Sequence, residues 1–439
     1  MLPTCVLLLC SFGPGDRGGP ATSEPDRAAD ASSPAPGQGG GGEEAQGTDE
    51  GELAKRVDRL ARENQELSRK IDALTDEVFR IDLGGVVPPV GESLHGLGPA
   101  ASKVYGKDQG VSIGGYGELV YQSVSGSSNE FDLRRAILYV GYKFSDRWVL
   151  NSEIEFEHTE ETSIEFLTLD YLASEAINAR AGLVLVPMGF LNELHEPTTF
   201  LSSNRPQTER RILPTTWREN GVGLFGDVGP VSYRAYVING FDATGFDASG
   251  LRGGRQKGSE ALAEDLAFVA RVDWTDTPGV LVGGSVYQGD AGQEQAGLGD
   301  TQTTIWEVHG ETRWRGLWLR GLYSMASVDD VARLNAAAGF TGSDSVGEEL
   351  EGGYVELAYD LMQLFDGEGP ASVRPFVRYE TVDTQADVPS GFSANSANDF
   401  DLVTFGVAIE PIDNVIVKLD YEDWDDGDDR FNASVGYVF

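Results

Sequence analysis

The sequence predicts an all-β fold, a transmembrane antiparallel β-barrel of about sixteen strands, preceded by an α-helical coiled-coil segment. Three features carry this expectation. Apolar and polar residues alternate with period two through the segments after residue 110, as in a sheet with one greasy and one wetted face. The connections between these segments sort into short and long by parity. The chain also ends on an alternating aromatic strand: Phe431, Ala433, Val435, Tyr437 and Phe439 share one face, and Arg430, Asn432, Ser434 and Gly436 the other.

Before the barrel the chain changes character four times. Residues 1–12 contain both cysteines, Cys5 and Cys10, in an apolar run with the length of a signal-peptide core but no preceding Lys or Arg, and read as a truncated signal peptide. Without that segment no cysteine remains for a disulfide or a thiolate metal site. Residues 13–51, rich in Pro, Gly, Ala, Ser and acidic side chains, read as a disordered tether. Over 52–83, Leu53, Val57, Leu60, Asn64, Leu67, Ile71, Leu74, Val78 and Ile81 are spaced alternately by four and three residues, a heptad seam with Asn64 set to fix register. β-Branched residues at a with Leu at d lean toward a dimer, whereas a barrel with its own interface leans toward a homotrimer, the state expected here. Residues 84–109, with Pro88, Pro89 and Pro99, read as a linker.

The barrel is expected over 110–439. Candidate strands are 111–123, 131–144, 147–158, 163–173, 177–187, 220–228, 231–239 and 265–275 in the first half. In the second half they are 280–289, 303–314, 317–326, 350–361, 372–382, 400–411, 415–425 and 430–439. In the third, Trp148, Leu150, Ile154 and Phe156 oppose Asn151, Glu153, Glu155 and Glu157. In the tenth, Trp306, Val308 and Trp314 oppose Glu307, His309, Glu311 and Arg313. A soluble sandwich would show the same period. The connections separate the two readings: those after even-numbered strands are mostly tight turns such as 145–146 and 229–230, and those after odd-numbered strands include 188–219, 240–264 and 327–349. Short turns at one end and long loops at the other characterise membrane barrels.

A formal charge of -38 excludes a simple electrostatic nucleic-acid binder. No run approaches the roughly 20 apolar residues of a membrane-spanning helix. A mean hydropathy of -0.25 suits a barrel with a polar lumen. The acidic group Asp423, Asp425, Asp426, Asp428 and Asp429 reads as a solvated rim able to bridge divalent cations to lipopolysaccharide.

The longest connection, 188–219, concentrates charge: Arg205, Arg210, Arg211 and Arg218 with Glu193, Glu196, Glu209, Glu219 and His195. Folded into a pore, it would make a constriction with a transverse field, with the four arginines, Glu193 and Glu209 at the narrowing. Arg135, Glu153, Glu155, Arg271, Glu307, Arg313 and Arg378 are expected to line the lumen, the arginines pairing with neighbouring carboxylates. No nucleophile and histidine pair can be read from spacing, so no enzyme activity, cofactor or metal site is expected.

Asn-Ala-Arg-Ala-Gly-Leu-Val-Leu-Val-Pro-Met-Gly-Phe from Asn178, Thr-Glu-Arg-Arg-Ile-Leu-Pro from Thr208, Gly-Val-Gly-Leu-Phe-Gly from Gly221 and Phe-Asp-Leu-Arg-Arg-Ala from Phe131 resemble the phosphate-selective porin O/P family. The resemblance spans roughly 111–439 and implies a sixteen-stranded trimeric outer-membrane barrel that passes small anions past basic pore residues. Here the lumen-side positions are rich in Glu and Asp, and 188–219 contains no lysine, so only Arg205, Arg210, Arg211 and Arg218 carry over as anion contacts. The expected function is thus a passive channel for small hydrophilic solutes, anions such as phosphate among them. Its expected surroundings are outer-membrane lipid and lipopolysaccharide, with the coiled coil in the periplasm. The alternative is an envelope tether, the barrel anchoring a coiled coil that reaches a cell-wall component.

Overall fold

The computed structural model describes residues 55–57, 59–70, 90–365, 372–425 and 427–439. Residues 55–57 and 59–70 are helical, and Lys70 Nζ lies 3.0 Å from Glu66 Oε1 one turn away. Val57, Leu60, Asn64 and Leu67 of the expected seam fall on this helix, with Val57, Leu60 and Leu67 exposed. Leu53, Ile71, Leu74, Val78 and Ile81, the expected signal peptide and the expected tether lie outside the described residues.

Sixteen strands form the second unit: β1 (Gly110–Val124), β2 (Glu130–Lys143), β3 (Trp148–Glu157), β4 (Glu161–Leu172), β5 (Asn178–Leu185), β6 (Arg218–Val228), β7 (Val231–Asn239) and β8 (Leu266–Trp274). They continue as β9 (Val280–Gly289), β10 (Thr303–Trp314), β11 (Leu317–Val328), β12 (Glu349–Tyr359), β13 (Ser372–Asp387), β14 (Asp399–Ile412), β15 (Val415–Trp424) and β16 (Arg430–Val438). Each pairs antiparallel with its sequence neighbours, and β1 pairs with β16 in the register Tyr116↔Val438 to Val124↔Arg430, so the barrel is closed. Gly115 and Phe439 exchange backbone hydrogen bonds of 3.0 and 2.9 Å at the seam. Closure leaves no sheet edge unpaired, the condition for strands to cross lipid.

Every expected strand is present. β13 runs on to Asp387 where the apolar alternation had suggested 382, because the ladder with β12 continues through polar residues beyond the greasy band. The exterior is apolar: Trp148, Phe156, Trp306, Val308, Trp314, Phe431, Val435 and Tyr437 are all exposed, each on the parity read from the sequence. The opposite parity is polar and buried, with Asn151, Glu153, Glu155, Glu307, His309, Asn432 and Ser434 among its members. A protein with greasy outer residues and a charged interior is inside out for water and suited to lipid.

The interior is filled from both ends. At the short-turn end, residues 90–109 do not run as a free linker. The turn Ala101–Val104 buries Leu97, Ala100, Ala101, Val104 and Tyr105 against Tyr116, Ile137, Tyr139, Val149 and Phe166 of β1 to β4. Asn151 Nδ2 donates to the Ala101 carbonyl at 2.8 Å, and Tyr105 Oη donates to Asp170 Oδ2 at 2.7 Å. At the long-loop end, Phe241, Phe246, Leu251, Leu298, Val331 and Leu334 from successive loops form an apolar cluster with inward residues of β7 to β13.

Candidate functional site

The connection between β5 and β6 enters the barrel. It leaves the wall at Val186 and is closed at its base by Asn192, whose Nδ2 donates to the carbonyls of Val186 and Trp217 at 2.6 and 2.8 Å. Its Oδ1 accepts from Trp217 N at 2.6 Å. A Cβ at Gly96 or Gly98 would collide with the carboxylates of Glu193 and Glu196, so glycine is what lets the segment before β1 meet this loop. Glu196 Oε1 then accepts from Ala100 N at 2.9 Å.

From there the loop touches the wall in several directions. Glu193 pairs with Arg234 of β7 at 3.0 Å, and the Gly189 carbonyl accepts from Arg271 of β8. His195 Nε2 lies 3.2 Å from Glu153 of β3 and 3.1 Å from Glu165 of β4. Across the lumen, Ser203 donates from N and Oγ to Asp420 of β15 at 2.8 and 2.6 Å, and Ser202 Oγ accepts from Arg378 of β13 at 2.7 Å. The helical turn Gln207–Arg211 closes this span: Thr208 N donates to Glu380 of β13, and Glu209 Oε1 accepts from Tyr354 of β12 at 2.6 Å. The loop is therefore a strap across the lumen.

The expected site residues divide on this scaffold. Arg205 and Arg210 line a cavity of about 290 Å³ at the long-loop end, together with Arg134 and Arg135 of β2, Arg252 of the loop after β7, and Arg430 of β16. Six arginines meet one carboxylate there, Glu157. Among the described residues, Arg205 Nε and Nη2, Arg252 Nη1 and Arg430 Nε are buried without a hydrogen-bond partner, an electrostatic deficit that an anion with several oxygens would relieve. Burial, and then the neighbouring guanidiniums of Arg255, Arg210 and Arg205, push Arg252 down to about 9. Burial and Arg135 push Arg205 down, and burial and Arg430 do the same to Arg210. Like charges have been gathered here: Arg135 has Glu118 at 3.5 Å and Arg430 has Glu422 at 4.0 Å, but Arg205, Arg210 and Arg252 complete no ion pair among the described residues.

The remaining expected residues sit elsewhere. Arg211 stacks over Phe400 with 5.0 Å from Cζ to the ring centre, and Arg218 is held by Glu165 at 3.3 Å. Glu193 and Glu209, expected to oppose the arginines, face the wall instead, because Arg234 and Tyr354 offer buried partners there. Arg135 keeps Glu118 at 3.5 Å while bordering the cavity. Arg271 pairs with Asp273 at 2.8 Å, and Arg378 with Glu356 at 3.3 Å. Glu307 pairs with His309 at 2.8 Å, and Arg313 with Glu311 at 2.8 Å at a mostly exposed position. Glu155 Oε2 accepts from Ser163 at 3.3 Å. Arg134, Arg252 and Arg430 were not singled out in advance. Arg-Gly-Gly-Arg from Arg252 was a visible basic group in an otherwise acidic chain, but nothing local ties it to Arg205.

A closed sixteen-strand barrel, strapped internally by the connection after its fifth strand, has the fold of the bacterial porins. It is similar to OmpF of Salmonella typhi in complex with daunomycin, at a TM-score of 0.51 and 11% identity over 76% of this chain and 98% of that one. It is also similar to a loop L8 deletion mutant of OmpT, an outer membrane protein of Vibrio cholerae, at a TM-score of 0.50 and 14% identity over 76% of this chain and all of that one. No family model matches the sequence. An uncharacterized protein of Aquifex aeolicus (strain VF5) is 37% identical over 377 residues, covering 81% of this chain and 86% of the relative, and the chain belongs to the same family as that protein.

Proposed function

We propose that this protein is a passive outer-membrane channel for small hydrophilic solutes that favours small anions, phosphate among them. The observation that carries the reading is the cavity of six arginines with unpartnered buried N–H groups at the long-loop end of a porin-fold barrel. Guanidinium forks match the oxygens of phosphate and carboxylate, and their field raises the local anion concentration against an overall charge of -38. On this reading Arg205, Arg210, Arg134, Arg252 and Arg430 make the anion contacts, Arg135 borders them, and Arg211 and Arg218 position the strap. The short turns face the periplasm and the long loops face outward, among lipid and lipopolysaccharide. Planar-bilayer recording of the purified protein tests the channel: discrete conductance steps support it, and a protein that inserts but stays silent counts against it.

A second reading is favoured by the helix through Val57, Leu60, Asn64 and Leu67, whose seam residues are exposed. A homotrimer joined by a periplasmic coiled coil over 52–83 would cover them, and such a rod, about 45 Å long at 1.5 Å per residue, would reach toward the cell wall. Deleting 52–83 separates the roles. Conduction survives if the barrel is the channel, and envelopes detach or bleb if the rod is a tether.

A further inference from the structure

We infer that Glu153, Glu165 and His195 form a binding site for one divalent transition-metal ion, Zn²⁺ by donor chemistry, which fastens the internal strap to the barrel wall. The three side chains come from β3, β4 and the strap, all are buried, and one ligand atom from each lies within 4.8 Å of the others. His195 Nε2 is 3.2 Å from Glu153 Oε1 and 3.1 Å from Glu165 Oε2. Ligand atoms around a tetrahedral zinc with bonds of about 2.0–2.2 Å lie roughly 3.3–3.6 Å apart, so little movement is needed to admit the ion.

The surroundings are those of a metal site. The other imidazole nitrogen, Nδ1, lies 3.0 Å from the Asn192 carbonyl, and donation there turns Nε2 toward the carboxylates, as a backbone acceptor does for ligating histidines. Glu165 Oε1 accepts from Arg218 at 3.3 Å, and Glu153 Oε1 receives the Tyr116 hydroxyl at 3.5 Å, so both carboxylates are oriented from behind. Among the described residues Glu153 Oε2 is buried with no hydrogen-bond partner, and Glu165 Oε2 has only the His195 Nε2 that Glu153 Oε1 also faces. A single Nε2 proton cannot serve both carboxylates, whereas a dication balances both.

Glu165 reaches the site through a backbone irregularity. The β3 and β4 register passes from Glu153↔Phe166 to Ile154↔Ile164, so Glu165 is the extra residue of a bulge. Strict alternation would aim it at lipid with Leu167; the bulge turns it inward beside Glu153. His309 provides the contrast. Its Nδ1 is 2.8 Å from Glu307 and its Nε2 2.9 Å from Asp273, so both nitrogens are taken by carboxylates and none is aimed from a backbone acceptor.

The test uses the full-length protein in detergent, stripped with a chelator and titrated with Zn²⁺, with Co²⁺ as a spectroscopic probe. One tightly held Zn²⁺ per chain is expected, and His195→Gln should weaken uptake by about tenfold or more, while His309→Gln leaves it unchanged. Co²⁺ should give the visible absorption of a four-coordinate nitrogen and oxygen site in the parent protein. That readout stands even if His195→Gln fails to fold, and Glu153→Gln supplies a second substitution. Uptake equal in the parent and in His195→Gln, or no Co²⁺ band, would overturn the assignment and leave His195 as a protonated bridge only. Conductance plays no part in this experiment, so its outcome is independent of the channel reading.

Discussion

Two groups of arginines share the interior of this barrel and differ in one respect, whether a carboxylate has been supplied for each. On the wall facing the strap, Arg180 pairs with Asp170, Arg271 with Asp273, and Arg320 and Arg378 with Glu356, all nearly inaccessible. At the long-loop end, Arg205, Arg210 and Arg252 gather around a single glutamate, and among the described residues N–H groups of Arg205 and Arg252 find no acceptor. Paired guanidiniums hold a structure together, and unpaired ones hold a charge ready for something else. On the proposed reading, this is how a strongly acidic chain would favour anions: the acids are spent on the wall pairs, the strap and the rim, and the mouth cavity is nearly free of them.

The largest effect is expected from breaking a wall pair. Arg180→Ala strands Asp170 in the interior without its guanidinium, which costs about 3–5 kcal/mol for a buried pair, and the barrel should unfold at lower temperature in heat-modifiability gels while its ion preference changes little. Next comes the cavity. Arg205→Ala with Arg252→Ala should lower the anion-to-cation permeability ratio several-fold without loss of folding, since neither side chain completes an ion pair among the described residues; thermal gels and reversal potentials on the same preparation check both halves. A smaller effect separates neighbours in sequence. Arg210→Ala should shift selectivity toward cations, whereas Arg211→Ala, which removes a ring contact with Phe400, should leave it nearly unchanged. The mildest effect is in pH. Arg252 is held down to about 9, so its charge is present below that value and fades as pH rises through it, and anion preference measured from pH 7 upward should weaken across that window.

Much of the barrel was legible because period-two alternation survives wherever one strand face meets lipid, and because turn lengths sort by membrane side. The strap was legible as an unusually long, charged connection. Its partners were not, since pairing Glu193 with Arg234 or Ser203 with Asp420 depends on a register and a path across the lumen that no local pattern records. Glu165 shows a different kind of failure. It occupies a lipid-facing parity, and the penalty for a charge there was a readable sign of a bulge. The segment 90–109 was obscured by Pro99 and its four glycines, although Leu97, Val104 and Tyr105 were apolar residues in need of cover.

The most direct test of the contrast between paired and unpaired arginines is the zero-current potential across a bilayer holding the purified protein in a potassium chloride gradient, measured for the parent and for Arg205→Ala with Arg252→Ala. The structure predicts an anion-selective parent whose potential moves toward the cation side in the double variant. A cation-selective parent, or a potential identical in the two proteins, would contradict it.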